Sequence, residues 1–213
     1  MFLSKLIDDV LEENKALLLD FHFYRELVYK LTYIFLDREQ FLFTYRPMPF
    51  LERSQFAVSG LYDYETNKKI ITLNLSSHYR KFNIHHHNWE IFKFCVSQVC
   101  QHESIHQLQW QKRDNSNFVQ EPIDFRLHPK NTDEEEEKNY LADPDEIDAY
   151  AHDIAMEIKF YYPDQNPYSI LRHIRRKRKV WSYHYYRNTF KRDDWTEIRR
   201  LLLKKTYTWL PHV

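Results

Sequence analysis

One glycine in 213 residues, Gly60, constrains this chain more than any other single feature. Glycine lets a backbone approach another group where a Cβ would collide. The G-x-G-x-x-G and Walker A loops need several glycines to bring their N–H groups against phosphate, so nucleotide-dependent enzymes of those two types are excluded. The chain is nonetheless built to fold, since 43% of it is hydrophobic and 17% aromatic. Its two cysteines, Cys95 and Cys100, would stand about 140° apart on one helix and are poorly placed to pair. No C-x-x-C unit supports a zinc ribbon or finger.

Helical periodicity runs from Leu3 to about Asp37, carried by Leu6, Ile7, Val10, Leu11, Leu17, Leu18 and Phe21. The stretch turns acidic at Asp8 without a basic start, which does not read as a signal peptide. Pro47 and Pro49 end any helix beyond it. Phe56, Val58 and the β-rich "KIITLNL" flank the polar turn "YETNKK" and predict a β-hairpin. A long helix is expected from Asn88, an N-cap candidate, through "WEIFKFCVSQVCQHESIHQLQWQKR". Its first half is apolar on several sides and reads as buried. The chain from Asp114 to Asn139 reads as loop, with "DEEEE" solvated. A further helix opens at Asp143 and Pro144 and stops before Pro163. The expected organisation is a domain over 1–165, with 1–40 as a helical N-terminal segment, and a helical extension over 166–213. No run approaches the roughly 18 apolar residues of a membrane span, and the expected setting is the cytoplasm.

Inside the long helix stands His102-Glu103-Ser104-Ile105-His106, an H-E-x-x-H motif. Four residues turn a helix by about 400°, so both imidazoles leave one face and can converge on one ion. Imidazole nitrogen suits zinc. Glu103 stands beside that face, where it can take a proton from a metal-activated water and return it to a leaving amine. A third ligand is needed. Gln109 and Lys112 occupy positions where the extended H-E-x-x-H-x-x-G-x-x-H motif has glycine and histidine, so that type fails and a distant carboxylate remains. Glu146, forty residues on in "DPDEIDAYAHDIA", is the leading candidate, with Asp148, His152 and Asp153 as alternatives. Asp153, two turns beyond Glu146, can instead orient a ligand histidine. Tyr150 and Tyr140 are candidates to stabilise an oxyanion. The "HHH" at His85 to His87 faces three directions and reads as exposed surface.

"QHESIHQLQW" followed by "YLADPDEIDAYAHDIA" resembles the zincin metallopeptidases of the gluzincin type, and within them the small H-E-x-x-H proteins often encoded by phages. The resemblance spans roughly residues 55 to 160. It implies a helix-rich α+β fold with a small antiparallel sheet or hairpin over the active-site helix, a Zn2+ cofactor, and peptide or protein as substrate. An edge strand would hold the substrate by backbone pairing. The N-E-x-x-S-D helix of larger gluzincins is missing.

A formal net charge of zero conceals an asymmetry. Tyr168 to Val213 carries 13 Lys and Arg against 3 Asp and Glu, a net of +10, which the rest of the chain offsets. With "RRKRK" running into Trp181, Tyr183, Tyr185 and Tyr186, the tail can pack on its own domain, or meet nucleic acid or an acidic partner. Beside the peptidase, two other functions are consistent with these residues. One is a nucleic-acid-associated protein with a zincin core. The other is a structural protein in which the site has lapsed, although a structural metal site has no use for Glu103.

Overall fold

The helical periodicity at the N-terminus is interrupted in the computed structural model, which describes residues 3–39, 41–52, 55–114, 133–190 and 192–213. Two short helices, α1 (Leu3–Glu13) and α2 (Lys15–Leu18), lead into a strand, β1 (Asp20–Phe23), before α3 (Tyr24–Glu39) resumes. Asp20 adopts a φ of 108°, outside any helical conformation, and its side chain accepts the Phe21 N–H at 2.7 Å. A short polar side chain that bonds its own backbone is among the few that tolerate such a turn. The expectation of one helix over Leu3–Asp37 is therefore corrected. Apolar spacing reports which side chains are buried and says nothing of a one-residue reversal between them.

Two small sheets follow. β1 pairs antiparallel with β5 (Lys81–Ile84), Asp20 standing opposite Ile84. The second sheet has the order β2-β4-β3, from β2 (Phe41–Met48), β3 (Phe56–Asp63) and β4 (Lys68–Ser76). The expected hairpin is present as β3 and β4, with Gly60 opposite Ile71. β2, which the prolines did not suggest, runs parallel to β4. Pro47 is accommodated there because β2 is an edge strand in this order, and an edge can spare one N–H. Asn67, with a φ of 51°, closes the hairpin in a conformation usually given to glycine. Its Oδ1 accepts from the Tyr62 hydroxyl at 3.0 Å.

α4 (Trp89–Asp114) begins directly after Asn88, as expected. Asn88 accepts the His85 N–H through its side chain and the Phe92 N–H through its backbone. Trp89, Phe92, Val96 and Cys100 leave one face of the helix at 3–4-residue steps. They enter a core with Ile71, Leu73 and Leu75 of β4, Phe82 of β5 and Leu27, Leu31 and Phe35 of α3. Both cysteines are free, and the three consecutive histidines are exposed.

The described residues group into two compact units, Met1–Trp110 and Gln111–Val213. The second is helical: α5 (Asp133–Ala142), α6 (Pro144–Tyr161), α7 (Pro167–Arg172), α8 (Trp181–Thr189) and α9 (Arg192–Trp209). Part of the region read as loop, 115–132, lies outside the described residues, but the acidic run beyond it is corrected to helix α5. Glutamate is a good helix former and suits the first turn, and Glu134 pairs with Lys138 one turn on at 2.5 Å. α6 starts and stops where the sequence predicts, with Asp143 accepting the Asp145 N–H at 2.7 Å. The basic tail is helical in several pieces. Its Ile170, Leu171, Ile174, Val180, Tyr183 and Tyr186 share a core with Ile147, Ala151, Ile154 and Ile158 of α6. No helix among the described residues is long and apolar enough to cross a membrane.

Two carboxylates act as structural anchors. In the first unit, Glu12 accepts from Trp89 Nε1 at 2.9 Å and from Lys93 and Lys15 at 3.0 Å. These donors, the indole first, lower its pKa from 4.5 to about 2. In the second unit, buried Glu157 of α6 accepts the Ser182 N–H at 3.1 Å and its hydroxyl at 2.8 Å, capping the start of α8. A depressed carboxylate stabilises the fold above its unfolded pKa and loses that contribution as pH falls through the folded value. The advantage of the native protein over Glu12→Gln is therefore expected to be full above about pH 4.5 and gone near pH 2, read from denaturation midpoints across that range. Glu157→Ala is expected to cost about 2–3 kcal/mol in chemical denaturation, because it strands a buried hydroxyl and a helix-start N–H.

Candidate metal centre

Halfway along α4 the buried residues change from apolar to polar. Ser97, Gln101, His102, Glu103 and Ser104 are all buried. Burying polar side chains costs free energy unless they are bonded, and several are bonded within the helix. Gln101 donates to Ser97 Oγ at 2.8 Å, and Ser104 Oγ donates to the Cys100 carbonyl at 2.8 Å. His106, half-buried, shares a 3.0 Å hydrogen bond between its Nδ1 and Gln109 Oε1. A glutamine oxygen can only accept, so Nδ1 carries the proton and the Nε2 lone pair is the one available to a metal. The next residue, Gln107, ties α4 to the hairpin by donating to Asn67 Oδ1 at 2.9 Å and accepting from Lys69 Nζ at 2.7 Å. Lys69 is 1% exposed, and its ammonium lies 4.5 Å from the Phe41 ring centroid.

The only glycine of the chain stands against Glu103. A Cβ built on Gly60 would lie 2.6 Å from Glu103 Cγ and 2.7 Å from Cδ, and closer still to Oε1. Gly60 lies in β3 with no positive φ, so backbone freedom does not explain it. The close approach does: the carboxylate fills the volume that any other side chain would take. β3 is also an outer strand of its sheet, hydrogen-bonded to β4.

In the second unit, α6 turns Glu146, Tyr150, Asp153 and Glu157 along one face at steps of three and four residues. Glu146 is buried. Asp145, beside it, is ion-paired with Arg113 in the last turn of α4. The alternative ligands have other surroundings. Asp148 accepts from Trp209 Nε1 at 3.2 Å and meets Lys205 at 3.1 Å, both on α9. The buried His152 ring meets the Trp209 ring edge-on at 5.0 Å, and its Nδ1 is 3.8 Å from Asp153 Oδ1. Tyr150 packs on the rings of Tyr186 and Tyr185 at 5.2 and 5.9 Å, and half-buried Tyr140 lies against the same core.

Among the described residues, His102, His106 and Glu146 form a group that could hold a metal ion, their potential ligand atoms all within 4.8 Å of one another. Two residues that sequence reasoning noted only as rings of the basic tail belong to the surroundings of Glu146. Tyr185 donates to Glu137 at 2.7 Å, and Tyr186 is fully buried, its hydroxyl without a hydrogen-bond partner among the described residues. Burial, and after it the negative charge of Glu146, pushes the Tyr186 phenol far up, so it keeps its proton. In a tail with so many rings, no local pattern distinguishes these two.

Gly60→Ala is expected to push the Glu103 carboxylate aside, and Glu103→Ala to vacate the space. A double-mutant cycle in chemical denaturation should then return a coupling of about 0.5–3 kcal/mol, whereas strict additivity would place the Glu103 side chain elsewhere. Comparison with family models, with curated proteins and with solved structures finds no match to this chain.

Proposed function

We propose that this chain is a zinc-dependent peptidase of the zincin kind, with His102, His106 and Glu146 as metal ligands and Glu103 as general base. The observation that carries the reading is the convergence of those three ligand atoms within 4.8 Å, with a carboxylate next to His102 in the chain. Two neutral imidazoles and one carboxylate are a donor set that suits zinc and leaves a coordination position open. The hydrogen bond to Gln109 fits the same reading, since it turns one defined nitrogen of His106 outward. A zinc ion held by these residues would supply Lewis-acid polarisation of a carbonyl and a water of lowered pKa.

Glu103 does the proton work. Its carboxylate takes a proton from the attacking water and delivers it to the leaving nitrogen as the peptide bond breaks. The absence of a side chain at Gly60 gives that carboxylate its place between strand and helix. The outer edge of β3 offers backbone N–H and C=O groups to an extended peptide, which would add as a further strand alongside Glu103. Tyr150, one turn from Glu146 on α6, carries the hydroxyl proposed to stabilise charge on the carbonyl oxygen.

Elemental analysis of the purified protein is expected to find one zinc per chain, lost in both His106→Ala and Glu146→Ala. Absence of metal in the native protein even after zinc is supplied would sink the reading. Loss in His106→Ala alone would assign the third ligand to another residue. Glu103→Gln is expected to keep its zinc and lower peptide hydrolysis by about 10²–10⁴-fold. A variant as active as the native protein would remove Glu103 from the chemistry.

A further inference from the structure

The surface around the turn between α7 and α8 is not used by the proposed peptidase site. Between Asp164 and Asp193 the chain has no carboxylate and nine lysines and arginines. Ile170, Leu171, Ile174, Val180, Tyr183 and Tyr186 are buried in the core of the second unit and fix this stretch to it. The residues between those anchors are turned outward. Arg172, Arg175, Arg176, Arg178 and Lys179 are exposed, and none has an ion pair among the described residues. Other basic groups of the same unit behave differently, since Lys205 meets Asp148, Arg113 meets Asp145 and Lys138 meets Glu134. Lys177 is also engaged, over the Tyr162 ring at 4.8 Å and donating to Gln165 at 3.2 Å, and Lys179 lies over the Tyr161 ring at 5.7 Å but has no ion pair among the described residues. At the edge of the unpaired group stands Trp181, 67% exposed in the first turn of α8, while Tyr183 and Tyr186 of the same helix point inward.

We propose that Arg172, Arg175, Arg176, Arg178, Lys179 and Trp181 form a binding surface for single-stranded nucleic acid. Exposed cations without an ion pair among the described residues complement a phosphate backbone, and four of the five are guanidinium groups, which grip phosphate through two parallel hydrogen bonds. The expected alternative, in which the tail's charge is matched within the chain, would show as ion pairs on these residues, and the described residues provide none. The indole decides between single and double strands. An exposed flat ring beside guanidinium groups offers a stacking platform to an unpaired base, whereas the bases of a duplex are already stacked. An anionic membrane is the weaker match, because surface-lying helices present a continuous apolar face. The apolar face of α8 is turned into the core, leaving Trp181 and, less exposed, Tyr185 as separate rings rather than a continuous apolar face.

The test is a titration of the full chain with a fluorescently labelled thymidine 20-mer, followed by anisotropy and by the change in tryptophan emission that is lost in Trp181→Ala, at several salt concentrations. Binding is expected to weaken as salt rises, with a log–log slope of about −2 to −4, as three to five phosphate contacts predict. Arg175→Ala with Arg178→Ala should reduce that slope by about 1.4. Trp181→Ala should weaken binding about 5- to 100-fold with the slope unchanged. All three positions are exposed, so thermal melts of the variants should overlay the native one. No binding at low salt would overturn the proposal, as would binding indifferent to these substitutions. Equal affinity for a duplex with no effect of Trp181→Ala would overturn the single-strand assignment. Capture by phosphatidylserine vesicles without binding to the oligonucleotide would assign the surface to membranes.

Discussion

A buried helix that changes character along its length is the constraint on which the rest of the first unit depends. The early turns of α4 place Trp89, Phe92, Val96 and Cys100 in an apolar core under the sheet, and this fixes the helix against β4 and its neighbours. Burial of apolar surface on that scale is worth several kcal/mol, enough to carry the later turns into the interior although Ser97, Gln101, His102, Glu103 and Ser104 are polar. Without the apolar half, the polar half would remain in water, where its imidazoles and carboxylate would have no fixed geometry. The hydrogen bonds of Gln101, Ser104 and His106 within the helix then limit the cost of burying them.

Gly60 completes this arrangement from the opposite side. A strand and a helix packed face to face ordinarily keep side chains between them, and a carboxylate in that layer needs a vacant position. The chain supplies one by using its single glycine at the strand residue over Glu103. Even the αL position of the hairpin goes to Asn67. The glycine that first served to exclude phosphate-binding loops thus marks the carboxylate to which the proposed hydrolysis assigns the proton transfers.

The second unit follows a related logic with a different outcome. Its core is built by α6 and the aromatic tail together, so the tail's rings divide into those that pack, such as Tyr183 and Tyr186, and those left exposed, among which Trp181 is the most open. Glu157, buried in α6, holds the start of α8 through Ser182 and so fixes where the exposed indole stands. The same α6 carries Glu146 on the face shared with Tyr150 and Asp153. One helix therefore serves the candidate metal site at its first turn and the basic surface through its last ones.

What the sequence determined by itself were the properties carried by neighbours in the chain. The extent of α4 and α6, the β3–β4 hairpin and the common face of His102 and His106 all follow from local spacing, because hydrogen bonding and side-chain direction repeat within a few residues. Glu146 could be nominated because a capped helix start announced itself through Asp143 and Pro144. Tertiary structure decided the rest. The reversal at Asp20, the parallel pairing of β2 with β4, the space at Gly60 and the packing of Tyr186 each join residues far apart in sequence or turn on one backbone angle. No periodicity records such pairings, since their free energy arises only when the distant partner arrives.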